Sequence, residues 1–316
     1  LKPRPLILAL ALLALSSQTL VAPGLNHDLH SVRTFFGVHR VQQADIPALG
    51  GPVHILAHGT TIHGAQPLDP ARRCIPTNYY APGGAIQQVY GNAAAARPAL
   101  KVGVVGLGTG SVAAYMRPGD RLRFFEIDSA VEKLARDPTY FRYLSDCARA
   151  PTDVVLGDAR LTLQREATGS YDLIHLDAFN SDAIPTHLLT AEAMEQYLRT
   201  LKPDGVLLAH ISNRHLRLEN VIAAAAERAG AHALIQLYVP PSGTPTLVAA
   251  PTLVMVVSRS PETLARFSAD PRWRKARLEG VRAWTDDYTN VIGAVIARMR
   301  QDPMRDSYLL AHLSPS

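Results

Sequence analysis

The chain has 316 residues, 47% hydrophobic and 19% charged, so a sizeable core is feasible and a disordered chain is excluded. Its net charge of +5 comes from Lys and Arg that are scattered rather than clustered, which reads as a solvated surface and argues against a nucleic-acid partner. Cys74 and Cys147 are the only cysteines, too few for a disulfide framework or a Cys-based metal spacing.

The first feature in the chain is an uncharged apolar run, Pro5 to Ala22, preceded by Lys2 and Arg4. It is long enough for a membrane-spanning helix. It also fits the n- and h-regions of a signal peptide, although no A-x-A site follows, and it fits a core helix. Residues 1–25 form this hydrophobic segment and 26–80 a β-rich appendage. In the appendage, Val38–Val41 and Val53–Ala57 have strand composition, and Gly59 and Gly64 mark turns. His54 and His58 share a face only on a helix, yet they fall in a strand-like run with no acid beside them, so no metal is expected. Tyr79 and Tyr80 open a loop ahead of a helix from Ala85 to about Ala95.

The following region, 81–300, is organised around Lys101 to Asp128. Val102–Val105 reads as a buried parallel strand. Gly106, Gly108 and Gly110 form a G-x-G-x-G turn, where glycine permits positive φ and close approach of a ligand. Ser111–Met116 starts a helix whose free N–H groups face that turn. The second strand, Leu122–Phe125, ends in Glu126-Ile127-Asp128. An acid about 20 residues past the glycines is the ribose-hydroxyl signature of a nucleoside site. A third strand ends at Gly157-Asp158-Ala159, a fourth (Tyr171–Leu176) at Asp177, and a fifth spans Gly205–Ile211. This alternation predicts an α/β fold, a doubly wound Rossmann-like sheet with its ligand at the carboxyl ends of the strands. The glycine turn, Glu126, Asp158 and Asp177 all fall at those ends. Beyond them, Val221–Ala229 reads as a helix, Pro240–Pro251 as a mobile loop, Thr252–Val257 as an antiparallel strand and Asn290–Met299 as a closing helix. Residues 301–316 form a tail.

This ordered set resembles the class I S-adenosylmethionine-dependent methyltransferase fold. More narrowly, it is similar to the spermidine synthase (polyamine aminopropyltransferase) family, in the branch whose synthase domain follows membrane helices. The narrower match rests on Phe35–Val38, His58–Gln66, Pro76–Tyr80, Asp177–Pro185 and Trp284–Tyr288, and covers about residues 33–300. The branch, with Leu rather than Met at position 1, makes the apolar run the last helix of a membrane domain. It implies membrane association, in a bacterial inner membrane, with the catalytic domain in the cytoplasm. Counting Lys2 and Arg4 as cytoplasmic puts that domain on the opposite side. Nucleoside substrates favour the cytoplasm, and Arg33 and Arg40 blunt the count, so the conflict stands. The resemblance allows a homodimer.

What the resemblance implies for chemistry is aminopropyl transfer from decarboxylated S-adenosylmethionine, or use of S-adenosylmethionine itself, with an amine as acceptor and no metal. Adenosine lies over Gly106, Gly108, Thr109 and Gly110. Glu126 accepts the ribose hydroxyls and Asp158, beside Ala159, the adenine amino group. Gln66 matches a glutamine used near the nucleoside, and Tyr80 a tyrosine of the amine pocket. The acceptor amine must lose a proton before it attacks. Asp177 matches the first acid of the family's D-S-S-D-P loop. Asp182 stands for the second, but two extra residues separate them, and a helix cap before His187 is the competing role. Members that use the decarboxylated donor carry Asp where this chain has Thr109, and a hydroxyl cannot hold the donor's ammonium. A methyltransferase acting on a small molecule is therefore the alternative, and a low-turnover nucleoside or polyamine sensor a third.

Overall fold

A computed structural model describes residues 27–59, 61–178, 185–213, 216–276 and 281–299. The first sheet is an antiparallel meander of β1 (His27–Thr34), β2 (Gly37–Ile46), β3 (Gly51–His58) and β4 (Thr61–Pro67), adjacent in chain order. β3 is buried on both faces. Val53 and Ile55 pack within the small sheet's own cluster, while Leu56 joins the main core. That explains why its apolar run is nearly continuous instead of alternating.

The second sheet contains β5 (Lys101–Val105), β6 (Arg121–Glu126), β7 (Thr152–Leu156), β8 (Tyr171–Leu176), β9 (Leu201–His210), β10 (His232–Tyr238), β11 (Thr252–Ser258) and β12 (Arg274–Lys275). Their order is β12-β10-β11-β9-β8-β5-β6-β7. β5 to β9 run parallel, and β11 enters antiparallel between β9 and β10, as its sequence predicts. Side chains alternate between two helix-covered cores. Val102, Val104 and Leu173 face one; Val105, Ile174 and Leu207 face the other. Strand order reverses at β5, between β6 and β8, which opens a crevice at their carboxyl ends.

Four expectations change. The segment after the glycine turn is a short 3-10 helix, Ser111–Tyr115, not the start of an α-helix. Pro118 follows closely, and a proline pushes the residue before it out of the α region. The loop 240–251 is tied down: the Asn78 N–H points at the carbonyls of Leu247 and Val248 (3.1 and 3.2 Å), and Ala250 N–H donates back to Asn78 O. The two cysteines are paired. Cys74, after the first sheet, is bonded to Cys147 in the turn Tyr143–Cys147, closing a separation of 73 residues. Finally, the expected membrane association is corrected, because among the described residues no helix is long and apolar enough to cross a membrane. Ala85–Ala96, for example, has 12 residues, whereas a span needs about 20. The apolar run Pro5–Ala22 and the tail 301–316 lie outside the described residues.

The disulfide yields a stability prediction. Cross-links closing loops of this length typically stabilise by about 2–4 kcal/mol by restricting the unfolded chain. A Cys74→Ser, Cys147→Ser double variant should lose about that much in urea unfolding, and reduction of the parent should match it. Equal stability of parent and variant would remove the cross-link from the account.

Candidate active site

The site begins where β5 ends. Gly106 has φ +96°, and a Cβ there would lie 2.4 Å from the carbonyl oxygen of Asp177. Gly108 has φ +54°, and a Cβ there would lie 2.5 Å from the carbonyl oxygen of His63. The turn is thus pinned between the end of β8 and the β4 hairpin of the first sheet, and no other residue type fits at either position. Gly110 closes the turn against Leu144.

Glu126 holds the turn from the second strand. Its Oε2 accepts the Leu107 N–H (2.9 Å) and its Oε1 the Asp128 N–H (2.8 Å). Each oxygen keeps a further lone pair for a ligand hydroxyl. Burial pushes its carboxyl up, against those backbone bonds. Asp128 caps the helix Ser129–Arg136 through the Ala130 N–H and accepts from Thr34 and His39 of the first sheet. The acid pair of the E-I-D motif therefore divides its tasks: one faces the turn and the other bolts the two sheets together.

The remaining residues expected at the donor side are less uniform. The Thr109 hydroxyl bonds to Ser111 (2.7 Å), and its side chain abuts Gly64, where a Cβ would come within 2.4 Å of Oγ1. It is turned into the seam and almost fully buried. Asp158 caps the helix Ala159–Gln164 by accepting the Arg160 N–H and keeps one oxygen 3.3 Å from His187 Nε2. Ala159 is buried as that helix's first residue. Gln66 bridges backbone, donating to Arg73 O and accepting from Arg142 N. Both halves of its amide are engaged at the wall of a separate cavity of about 240 Å³ that also includes His54 and Tyr140.

On the other side of Gly106 lies an aromatic and imidazole cluster around Asp177. Tyr80 donates its hydroxyl to Asp177 Oδ2. His210, at the end of β9, lies with Nδ1 2.7 Å from Oδ1 and with Nε2 2.8 Å from Ser212 Oγ. Because the carboxylate can only accept, Nδ1 carries the proton. Burial works against ionisation of Asp177, but the His210 charge and hydrogen bond, aided by His175 and Tyr80, bring its carboxyl down to about 2. The Tyr79 ring lies against His210 and Tyr80. Asn78 adopts φ +58°, an uncommon conformation for a non-glycine residue, and this turn sets the direction of the Tyr pair. One strand period before Asp177, fully buried His175 bonds through Nδ1 to the Tyr90 hydroxyl (3.1 Å), while its Nε2 has no partner. Burial lowers both His175 and His63 to about 4.

In sequence His210, at the end of the fifth strand, reads as a substrate contact or as a satisfied edge histidine, and its contact with Asp177 needs β8 and β9 in register. His175 carries a usable signal, since positions 175 and 177 share one face of a strand. Tyr79, Tyr90 and His63 carry none by themselves. Asp182 lies outside the described residues. Asp286 of the W-T-D-D-Y motif takes both Arg160 terminal nitrogens (3.2 and 2.8 Å) and the Thr190 hydroxyl, joining the N-terminal ends of the helices Ala159–Gln164 and Ala191–Thr200.

The sheet order, the glycine turn and the strand-end acids define a Rossmann-like methyltransferase fold with an added N-terminal antiparallel sheet. No protein-family profile matches the chain. In sequence it is similar to a polyamine aminopropyltransferase of Vibrio vulnificus, 37% identical over 112 residues, which is 34% of this chain and 36% of that protein's length. The match thus spans about a third of that relative. In fold it is similar to a probable spermidine synthase of Corynebacterium glutamicum, with a TM-score of 0.58, 17% identity and coverage of 83% of this chain and 97% of the other. The spermidine synthase of Thermotoga maritima follows with a TM-score of 0.50, 14% identity and coverage of 90% and 88%. Among the described residues no group of three or more His, Cys, Asp or Glu is arranged to hold a metal ion.

The two depressed imidazoles make stability depend on pH. Below about 6.5 the unfolded chain takes up protons at His63 and His175 that the fold resists until about 4. The unfolded state then binds more protons, so stability is intact above that window and falls as the pH drops through it. Urea midpoints should decline from pH 6.5 to 4, and His175→Leu should flatten the decline. An identical slope in the variant would show that His175 does not titrate in this way.

Proposed function

We propose that the protein transfers an aminopropyl group from decarboxylated S-adenosylmethionine to a linear polyamine-type amine. The observation that carries this reading is the facing pair of sites on either side of Gly106. Glu126 lies on the nucleoside side, and the Tyr80–Asp177–His210 chain on the other. The sequence similarity to a polyamine aminopropyltransferase and the fold similarity to spermidine synthases support it. In this reading adenosine lies over the glycine turn with its ribose hydroxyls on the free lone pairs of Glu126, and Asp158 and Ala159 border the adenine. Asp177, fixed by Tyr80 and His210, attracts the amine as an ammonium ion and aims its nitrogen at the methylene beside the sulfonium. Its ionised carboxylate orients the amine by charge and is able to accept its proton. By resemblance the proposal extends to a homodimer.

One observation favours a second reading, methyl transfer from intact S-adenosylmethionine. Thr109 supplies no negative charge where the decarboxylated donor's ammonium would need one, and its hydroxyl is committed to Ser111. The product separates the two readings: aminopropyl transfer releases methylthioadenosine, and methyl transfer releases S-adenosylhomocysteine.

Both donors, with 1,4-diaminobutane as acceptor probe, test the proposal by mass spectrometry of the products. Methylthioadenosine and an aminopropylated amine are expected. S-adenosylhomocysteine alone would replace the first reading by the second, and nucleoside binding without turnover would leave a sensor. Glu126→Ala should weaken methylthioadenosine binding by roughly 10- to 150-fold in titration calorimetry, the worth of a charged hydrogen bond. Unchanged affinity in a folded variant would take Glu126 out of the donor site. Asp177→Asn should cut turnover at least about 100-fold while changing nucleoside affinity less than about tenfold. Loss of both together would move Asp177 to the donor side.

A further inference from the structure

The cavity beside Gln66 lies outside the glycine-turn crevice and takes no part in the proposed transfer. We propose that it binds a small phosphate, free or as a short monoester. Its walls come from both halves of the protein. His54 lies on β3, Gln66 near the end of β4, and Arg73 on the stretch after that strand. Tyr140 and Arg142 lie between the helix Ser129–Arg136 and the turn Tyr143–Cys147. At about 240 Å³ the cavity is smaller than the roughly 300–1,000 Å³ of sites for drug-sized ligands, so its occupant is compact.

The charges favour an anion. Among the described residues the lining holds two arginines, a histidine and no acid. Asp146, just outside it, accepts from Arg73 Nη1 (3.1 Å) and faces Arg142 Nη1 at 3.5 Å. One carboxylate shared by two guanidinium groups leaves one positive charge uncompensated. Arg73 Nε is buried and has no hydrogen-bond partner among the described residues. A buried donor left unpaired costs stability, and the planar fork of a guanidinium matches the oxygens of an oxyanion. His54 favours phosphate over carboxylate. Its Nδ1 lies 2.9 Å from the Tyr140 carbonyl oxygen, which only accepts, so Nδ1 carries a proton. Nε2 then accepts from a P–OH when the ring is neutral and donates to a phosphate oxygen when it is protonated. An ionised carboxylate has no O–H to offer the neutral ring. The site is also built in advance of any ligand. Arg73 and Asp146 each directly precede a cysteine of the Cys74–Cys147 bond, so the cross-link fixes the ion pair. Gln66 joins the two walls, donating to Arg73 O (2.8 Å) and accepting from Arg142 N (2.6 Å).

The test titrates the full chain with inorganic phosphate, glycerol 1-phosphate and succinate at constant ionic strength, by calorimetry. Saturable binding of both phosphates at one site is expected, with succinate at least about tenfold weaker. Arg73→Gln should weaken phosphate binding at least about tenfold, the worth of a charged hydrogen bond. Arg73→Lys should lose nearly as much, because an ammonium keeps the charge but presents no fork. Arg142→Gln, at a half-exposed side chain, should also lose at least about tenfold and carries the test if the Arg73 variants fail to fold. Methylthioadenosine should not compete with phosphate. Phosphate binding that does not saturate by about 10 mM overturns the site, as do Gln variants within about threefold of the parent. Full affinity in Arg73→Lys overturns the role of the Nε donor. Succinate binding as tightly as phosphate overturns the phosphate assignment, and competition by methylthioadenosine would move the phosphate to the donor crevice.

Discussion

The constraint on which the rest of the structure depends is the closeness of the glycine turn to two backbones at once. With 2.4 and 2.5 Å between would-be Cβ atoms and the carbonyls of Asp177 and His63, the turn works as a joint and not only as a phosphate-style cradle. It fixes the end of β5 against the end of β8, and it seats the hairpin of the small sheet on the large one. A side chain at either glycine would push apart the strand ends and the hairpin that meet at this turn. Glu126 reinforces the joint by accepting the N–H of Leu107 within the turn and that of Asp128 just past β6.

The N-terminal sheet is accordingly part of the site. Asp128, which caps the core helix Ser129–Arg136, also receives Thr34 and His39, and the Cys74–Cys147 bond ties the far end of the small sheet to the core. Held at both ends, the sheet brings His63 to the turn. The loop 240–251, anchored on Asn78, stiffens the Tyr79–Tyr80 corner from the opposite side. The result is a buried cluster in which one carboxylate is surrounded by phenols and imidazoles.

Division of labour between carboxylates follows from burial and bonding. Glu126, buried and bonded only by backbone N–H groups, is pushed up. Asp177, equally buried but paired with His210, is brought down to about 2. The same chemical group is thus pushed up where only backbone N–H groups bind it and held down where an imidazole faces it.

The sequence by itself determined what depends on local pattern. Alternating apolar runs fixed the five parallel strands, the glycines marked the turn, and acids at strand ends identified Glu126, Asp158 and Asp177 as crevice residues, because an open parallel sheet presents those ends to its ligand. Strand composition likewise made the appendage legible before its pairing was known. Only the tertiary structure decided the rest, because each remaining feature joins residues distant in the chain. Cys74 meets Cys147 across 73 residues, where spacing alone gives no reason to pair them. Gln66 is spent on the backbones of Arg73 and Arg142. Thr109 is turned toward Gly64 because the two sheets close there. His210 reaches Asp177 only because β8 and β9 lie side by side in register, and His63 reaches the glycine turn only because a separate sheet is seated on it. Period and composition report which face of an element is buried; which element it is buried against is set by packing across the whole chain.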